Sequence, residues 1–205
     1  ALGTKGMAAF VVEKGTPGFV VGNVEDKMGI RSAQVSDMHL NDVRVPAENM
    51  IAKPGEGFKL AMKTLDGGRI GVAAQGLGIA KGAFEVARKY MMERQQFGKP
   101  ICKQQYLAFK MAELQTKIEA AELLLFKAAV AKEEGKPYSV PAAMAKLTCT
   151  NVAMEVATEA VQMLGGNGYM KGYHVERMLR DAKITQIYEG TNEIQKLVIS
   201  GPIFR

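Results

Sequence analysis

The chain is poor in the residues that build metal centres and covalent crosslinks. Its 205 residues include two cysteines, Cys102 and Cys149, and two histidines, His39 and His174. Two cysteines make neither a disulfide framework nor a zinc quartet, which suits a reducing interior. Each histidine stands alone, with no second ligand at metal spacing, so no metal site is expected. No apolar run approaches the roughly 18 residues a membrane helix needs. Long runs of one charge are missing too, as is the basic–aromatic interleaving that suggests nucleic acid. The net charge of +6 fits an anionic partner. With basic and acidic residues interspersed, a phosphorylated small molecule is the better match.

What is present is a change of period along the chain. Residues 1–50 read as β structure. Met7 to Val12 is an apolar run, Gly15-Thr16-Pro17-Gly18 is a turn signal, and Phe19-Val20-Val21 follows. Val35, Asp37 and His39, then Val43 to Pro46, suggest two further strands joined at Asn41-Asp42. These are too few strands for a complete domain. From about Glu56 the apolar spacing becomes three to four. Leu65, Val72, Gly76, Ile79, Ala83, Val86 and Tyr90 predict a helix of over thirty residues, roughly 50 Å long, stopped by Phe97-Gly98-Lys99-Pro100. A second helix carries Leu107, Met111, Leu114, Ile118, Ala121, Leu125 and Ala128. A third begins after Ser139 and buries Ala145, Cys149, Val152, Val156, Ala160 and Met163. A short amphipathic helix with Ile194, Leu197 and Val198 follows an N-cap at Thr191. Long helices with short loops predict an antiparallel bundle, α+β overall and mainly α, whose length implies packing against another subunit.

Several stretches carry chemistry, each with a plainer reading. Ile187-Tyr188-Glu189-Gly190-Thr191 sets one carboxylate between an aromatic ring and a glycine. A carboxylate beside apolar groups has its charged form disfavoured and becomes a usable base; taken alone, Glu189 is more simply a solvated loop acid. Asp66-Gly67-Gly68-Arg69 places two glycines inside a helix, at about 1 kcal/mol each. Close packing and a ligand at Arg69 explain that cost equally well. Gly76-Leu77-Gly78 through Gly82 lies within a helix and reads as close packing rather than a phosphate loop. Arg94 and Phe97 sit at a helix end, where Arg94 caps carbonyls or reaches a pyrophosphate. Gln162 to Gly168 is a glycine-rich helix exit. Arg180-Asp181 reads as a local ion pair.

Taken together and in this order, these pieces resemble the acyl-CoA dehydrogenase family, in its short-chain (butyryl-CoA) branch. The matching stretches are Lys27 to Arg31, Val43 to Pro46, Leu65 to Arg69, Arg94 to Gly98, Gln162 to Gly166 and Ile187 to Thr191. One departure is Arg31-Ser32, where a glycine commonly follows the arginine. The resemblance implies a partial antiparallel β domain at residues 1–50, the C-terminal portion of a central β domain, and an up-down four-helix bundle at 51–205. It also implies an upstream helical domain and further strands outside this sequence.

The same resemblance implies roles. Glu189 becomes the base that removes the α-proton of an acyl-CoA thioester while the β-hydrogen leaves as hydride to N5 of FAD. Its N–H serves the thioester oxygen. Asp66, Gly67, Gly68 and Arg69, with Tyr188 and Gly190, line the path of the substrate. Family members acting on branched or very long chains tend to carry their base at the position of Gly68, which leaves Glu189 the sole candidate here. Arg94, Phe97, Gln105 and Gln162, Met163, Leu164, Gly165 and Gly166 match residues reaching the FAD of a neighbouring subunit. Thr191, Asn192 and Glu193 match contacts on the subunit's own side. A homotetramer, electron-transferring flavoprotein as acceptor, a role in fatty acid metabolism, and a bacterial cytoplasmic or mitochondrial-matrix location follow as expectations. Two alternatives stay open: an acyl-CoA oxidase, and a non-catalytic truncated paralogue serving as an oligomerisation module.

Overall fold

The computed structural model describes residues 2–204. The chain divides into two compact units, residues 1–65 and 66–205.

Among the described residues the first unit holds four short strands. β1 (Ala9–Phe10) pairs antiparallel with β4 (Met50–Ala52), and β2 (Phe19–Val24) with β3 (Ser36–Leu40). Gly15 and Gly18 take positive φ, as the predicted turn before β2 requires. On β2 and β3, Val20, Val21, Met38 and Leu40 are at least half exposed. The strand expected at Val43 to Pro46 does not form. Asp42 adopts φ 51°, which turns the chain out of the β3 line, and Pro46 has no N–H to give a ladder. The next strand is β4 instead.

The second unit is helical. α1 (Gly57–Glu93), which carries residues of both units, is followed by α2 (Gln105–Glu133) and α3 (Ser139–Leu164). The shorter α4 (Val175–Thr185) and α5 (Asn192–Ile203) complete it. α1 ends earlier than the Phe97-to-Pro100 signal suggested. Its last residue is Glu93, and those residues form a tight hairpin of β5 (Gln95–Gln96) and β6 (Lys99–Pro100). Phe97 and Gly98 hold the turn at φ 55° and 76°, leaving Phe97 92% exposed.

The bundle core is built largely from small residues. α2 and α3 bury the predicted stripes, including Leu114, Ile118, Cys149, Val152 and Val156. On α1 the predicted Val72 and Ala83 are buried together with Ala73, Leu77, Ala80, Ala87 and Met91, while Ile79, Val86 and Tyr90 are only partly buried. The large residues led the sequence reading to a face slightly rotated from the true contact. Alanines allow the closest approach of two helix backbones, and there the packing is densest. At Gly76 a Cβ would stand 3.2 Å from the Cys149 carbonyl oxygen, so α1 meets the backbone of α3 at that point.

α4 was not foreseen as a helix. Its surface is tied by i,i+4 pairs, Arg180 to Glu176 and Arg177 to Asp181, each at 2.8 Å. Its apolar side is short, with Val175 and Ala182 buried. α5 corrects a second expectation. Ile194 is 41% and Leu197 67% exposed, while the buried residues are Asn192 and Gln195.

Candidate active site

The turn between α4 and α5 is held in an unusual backbone conformation. Glu189 and Gly190 both lie at positive φ, 55° and 84°. Left-handed backbone is uncommon for a residue with a Cβ and persists only where its surroundings over-determine it. Here they do. The Ile187 and Tyr188 N–H groups both donate to the Ile184 carbonyl, and the Asn192 N–H donates to Gln186. The Gly190 carbonyl accepts from Gln195 Nε2 at 2.8 Å and from Lys146 Nζ at 2.9 Å. Tyr188 donates its hydroxyl to Gln75 Oε1 on α1. Burial pushes the Tyr188 phenol up from its ordinary value, so it stays a neutral donor. Thr191 occupies the N-cap position of α5, but its side chain makes no cap bond.

This turn aims the Glu189 side chain at α1. A Cβ added to Gly68 would sit 2.5 Å from Glu189 Oε2 and 2.9 Å from its Cδ. The glycine therefore leaves the space that the carboxylate occupies. Glu189 Oε2 is buried and has no hydrogen-bond partner among the described residues. Nor does the Glu189 N–H donate to a protein acceptor among them. An unmatched donor and acceptor in one turn is a costly arrangement unless a ligand completes it.

Next to Gly68, Arg69 is 6% exposed and donates Nη1 to Asp66 Oδ1 at 2.6 Å. Asp66 also accepts from the Ser139 hydroxyl at 3.0 Å. The Arg69 Nε is a further buried donor without a partner. Gly67 faces Lys132, whose Nζ would stand 3.4 Å from an added Cβ. The structure thus brings Asp66, Gly68, Arg69, Tyr188, Glu189 and Gly190 into one neighbourhood.

The candidates at residues 94–105 and 162–166 lie elsewhere. Gly68 and Glu93 stand roughly 37 Å apart along α1 at 1.5 Å per residue, and Arg94, Phe97 and Gln105 follow that far end. All three are exposed, as are Gln162, Gly165 and Gly166. Met163 and Leu164, at 7% and 2% exposure, are core residues and leave only backbone for a cofactor. Asn192 lies at the start of α5 and borders a small polar hollow there. Its side chain faces inward, accepting from Lys146 at 2.9 Å and donating to Asn151 at 2.9 Å. Glu193 is exposed, and its carboxyl is held below the ordinary value by its own backbone N–H at the helix start.

Lys146, Gln195 and Gln75 escaped the sequence reading. Lys146 is fully buried on α3, and burial, aided by Arg69, lowers its amine to about 8. The available signal was one cation amid Ala142-Ala143-Met144-Ala145 and Leu147. An apolar hollow of about 320 Å³ bounded by Phe84, Met91 and Met111 has no carboxylate or imidazole in its lining, so base chemistry does not belong there. Among the described residues no cluster suits a metal, and no helix is long and apolar enough to cross a membrane.

Long helices packed through alanines, with one bare carboxylate poised over a helical glycine, define a helical-bundle protein with a buried, unpartnered acid in the turn before its last helix. The family model for the acyl-CoA dehydrogenase C-terminal domain matches residues 55–203, and the chain belongs to that family. It is 61% identical over 203 residues to a short-chain specific acyl-CoA dehydrogenase of Clostridium acetobutylicum, covering 99% of this chain and 54% of that protein. The structure of butyryl-CoA dehydrogenase from Megasphaera elsdenii superposes with a TM-score of 0.98 at 57% identity, over 99% of this chain and 53% of that one. A chain in the structure described as the electron-transferring flavoprotein of Acidaminococcus fermentans matches equally well, with a TM-score of 0.98 at 56% identity, over 99% and 53%. The chain spans about half the length of the relatives it matches.

The residues fit part of a flavin site. A polar hollow of about 180 Å³ beside the start of α5 is lined by Asn151, Lys183, Gln186, Thr191, Glu193 and Lys196. Two lysines and a helix N-terminus suit an anionic or polar cofactor segment. The volume falls below the ~300 Å³ at which complete ligand pockets begin, so this hollow has room for no more than a fragment of such a group.

Proposed function

We propose that this chain is the C-terminal portion of a flavin-dependent dehydrogenase of short-chain acyl-CoA thioesters, of the butyryl-CoA type. Residues 1–50 complete its central β domain and residues 51–205 form its bundle. The exposed apolar side chains of β2 and β3 support the first part, because a sheet face of that kind calls for a covering layer.

The observation that carries the reading is Glu189 Oε2, buried, unpartnered and directed across Gly68. A carboxylate so placed accepts the α-proton of a thioester seated against the turn. The unoccupied Glu189 N–H donates to the thioester oxygen, where negative charge develops as that proton leaves. Gly68 keeps the approach to the base open, and Gly190 permits the backbone that presents it. Arg69 and Asp66 border the substrate, with Arg69 Nε as an available donor. FAD, when bound, supplies the acceptor for the β-hydrogen as hydride. Thr191, Asn192 and Glu193 would hold it from this subunit. Arg94, Phe97, Gln105 and Gln162 to Gly166 would reach that of a neighbour. The 92% exposure of Phe97 supports a surface awaiting another chain, and a homotetramer supplies one. Electrons pass to electron-transferring flavoprotein.

The test is Glu189→Gln in the flavin-loaded holoenzyme, which keeps the shape of the side chain and removes the base. Butyryl-CoA is expected to bleach the flavin absorbance near ~450 nm in the parent and to leave the variant coloured, a loss of at least ~100-fold in rate. Bleaching at the parental rate would eliminate Glu189 as base. Comparing turnover on O₂ with turnover on the flavoprotein acceptor separates a dehydrogenase from an oxidase.

A further inference from the structure

We propose that Lys146 is a positioning residue for Glu189: from α3 it ties down the Gly190 carbonyl and the Asn192 side chain, and so fixes the left-handed turn that aims the base. The inference rests on the reading of Glu189 as the base.

The geometry is specific. Lys146 is fully buried, and Nζ donates to the Gly190 carbonyl and to Asn192 Oδ1, each at 2.9 Å. Asn192 is in turn fixed by Thr150, with Nδ2 to Oγ1 at 3.0 Å, and by Asn151. The Gly190 carbonyl takes a second bond from fully buried Gln195. Both lone pairs of the residue following the base are therefore occupied by buried donors from two different helices.

A buried lysine is an expensive way to fill space, and an apolar side chain would pack α3 more cheaply. What the apolar residue cannot do is hold a carbonyl against its preference. Glu189 stands at φ 55°, a conformation that relaxes unless its neighbours prevent it. Gln195 belongs to the short helix that follows the turn and would move with it. Lys146 is anchored instead in α3, whose packing does not depend on the turn. The charged groups that act on its ammonium are Arg69 from α1, Glu189 from the turn and Glu193 from α5. A neutral amine still has two N–H donors for its two acceptors, so the tether is a matter of geometry in either charge state.

The experiment compares the flavin-loaded holoenzyme with Lys146→Met, close in length and without donors, and Lys146→Gln, which keeps an NH₂. Two quantities are read anaerobically without an electron acceptor: exchange of α-deuterium from butyryl-CoA into solvent, and the equilibrium affinity for the same thioester. In Lys146→Met, exchange is expected to slow about 100-fold, the scale of a misplaced reacting group, while the affinity stays within about threefold. Lys146→Gln is expected to recover a part of the exchange rate. Unchanged exchange in a folded Lys146→Met, or a rate that falls only in proportion to lost binding, would overturn the proposal. Should the Met variant not fold, Lys146→Gln decides: exchange that slows while the affinity holds supports the tether, and parental exchange, or exchange lost only in proportion to affinity, sinks it. Glu189→Gln run alongside separates the two readings, since parental exchange there removes the base assignment itself.

Discussion

At the scale of single residues, Gly68 shows how stability and activity can be set against each other. A glycine inside a helix costs about 1 kcal/mol relative to alanine. An alanine there would place its Cβ 2.5 Å from Glu189 Oε2, the far end of a side chain that can swing away. Gly68→Ala is therefore expected to leave the thermal midpoint unchanged or raised while lowering the rate of flavin bleaching by butyryl-CoA about 100-fold. A variant that loses stability and keeps its rate would show that the glycine serves packing alone. The sequence made Gly68 suspect, since two adjacent helical glycines need a reason. It left packing and ligand even, because the partner across the gap comes from 121 positions further along the chain.

At the scale of elements, the close contact of α1 with α3 gives the opposite expectation for a neighbouring glycine. An added Cβ at Gly76 would lie 3.2 Å from the Cys149 oxygen and 3.3 Å from its carbonyl carbon, atoms of a helix backbone that cannot rotate aside. Overpacking of this kind costs about 1–3 kcal/mol, against a gain of about 1 kcal/mol in helix propensity. Gly76→Ala should lower the denaturant midpoint by a net loss on the order of 1 kcal/mol, read at unchanged slope. An increase would place the two helices further apart than described. Periodicity located α1, α2 and α3 because each buries an apolar stripe in its own sequence. It misjudged α5, whose inner face meets Lys146 and Thr150 and is polar for that reason. A hydropathy pattern has no means of marking a buried face made of asparagine and glutamine.

At the scale of the whole molecule, the two cysteines report on how the fold partitions inside from outside. Cys149 is fully buried, donates Sγ to the Ala121 carbonyl at 3.4 Å, and has its thiol pushed up to about 12 by burial. Cys102 is half-buried beside the apolar hollow of α1 and α2. A thiol reagent at neutral pH is expected to modify one site per native chain, at Cys102, with the second appearing only on unfolding; rapid labelling of Cys149 would mean the bundle core opens readily. By itself the sequence determined the three long helices and the family, because each is written in local spacing or in short contiguous motifs, and it pointed to Glu189 only through that resemblance. Only the tertiary structure decided that this carboxylate lies bare over Gly68 and that a buried lysine holds its turn. Those facts join α1, α3 and the α4–α5 turn, and contacts between residues so far apart in sequence arise from packing, which no local pattern records.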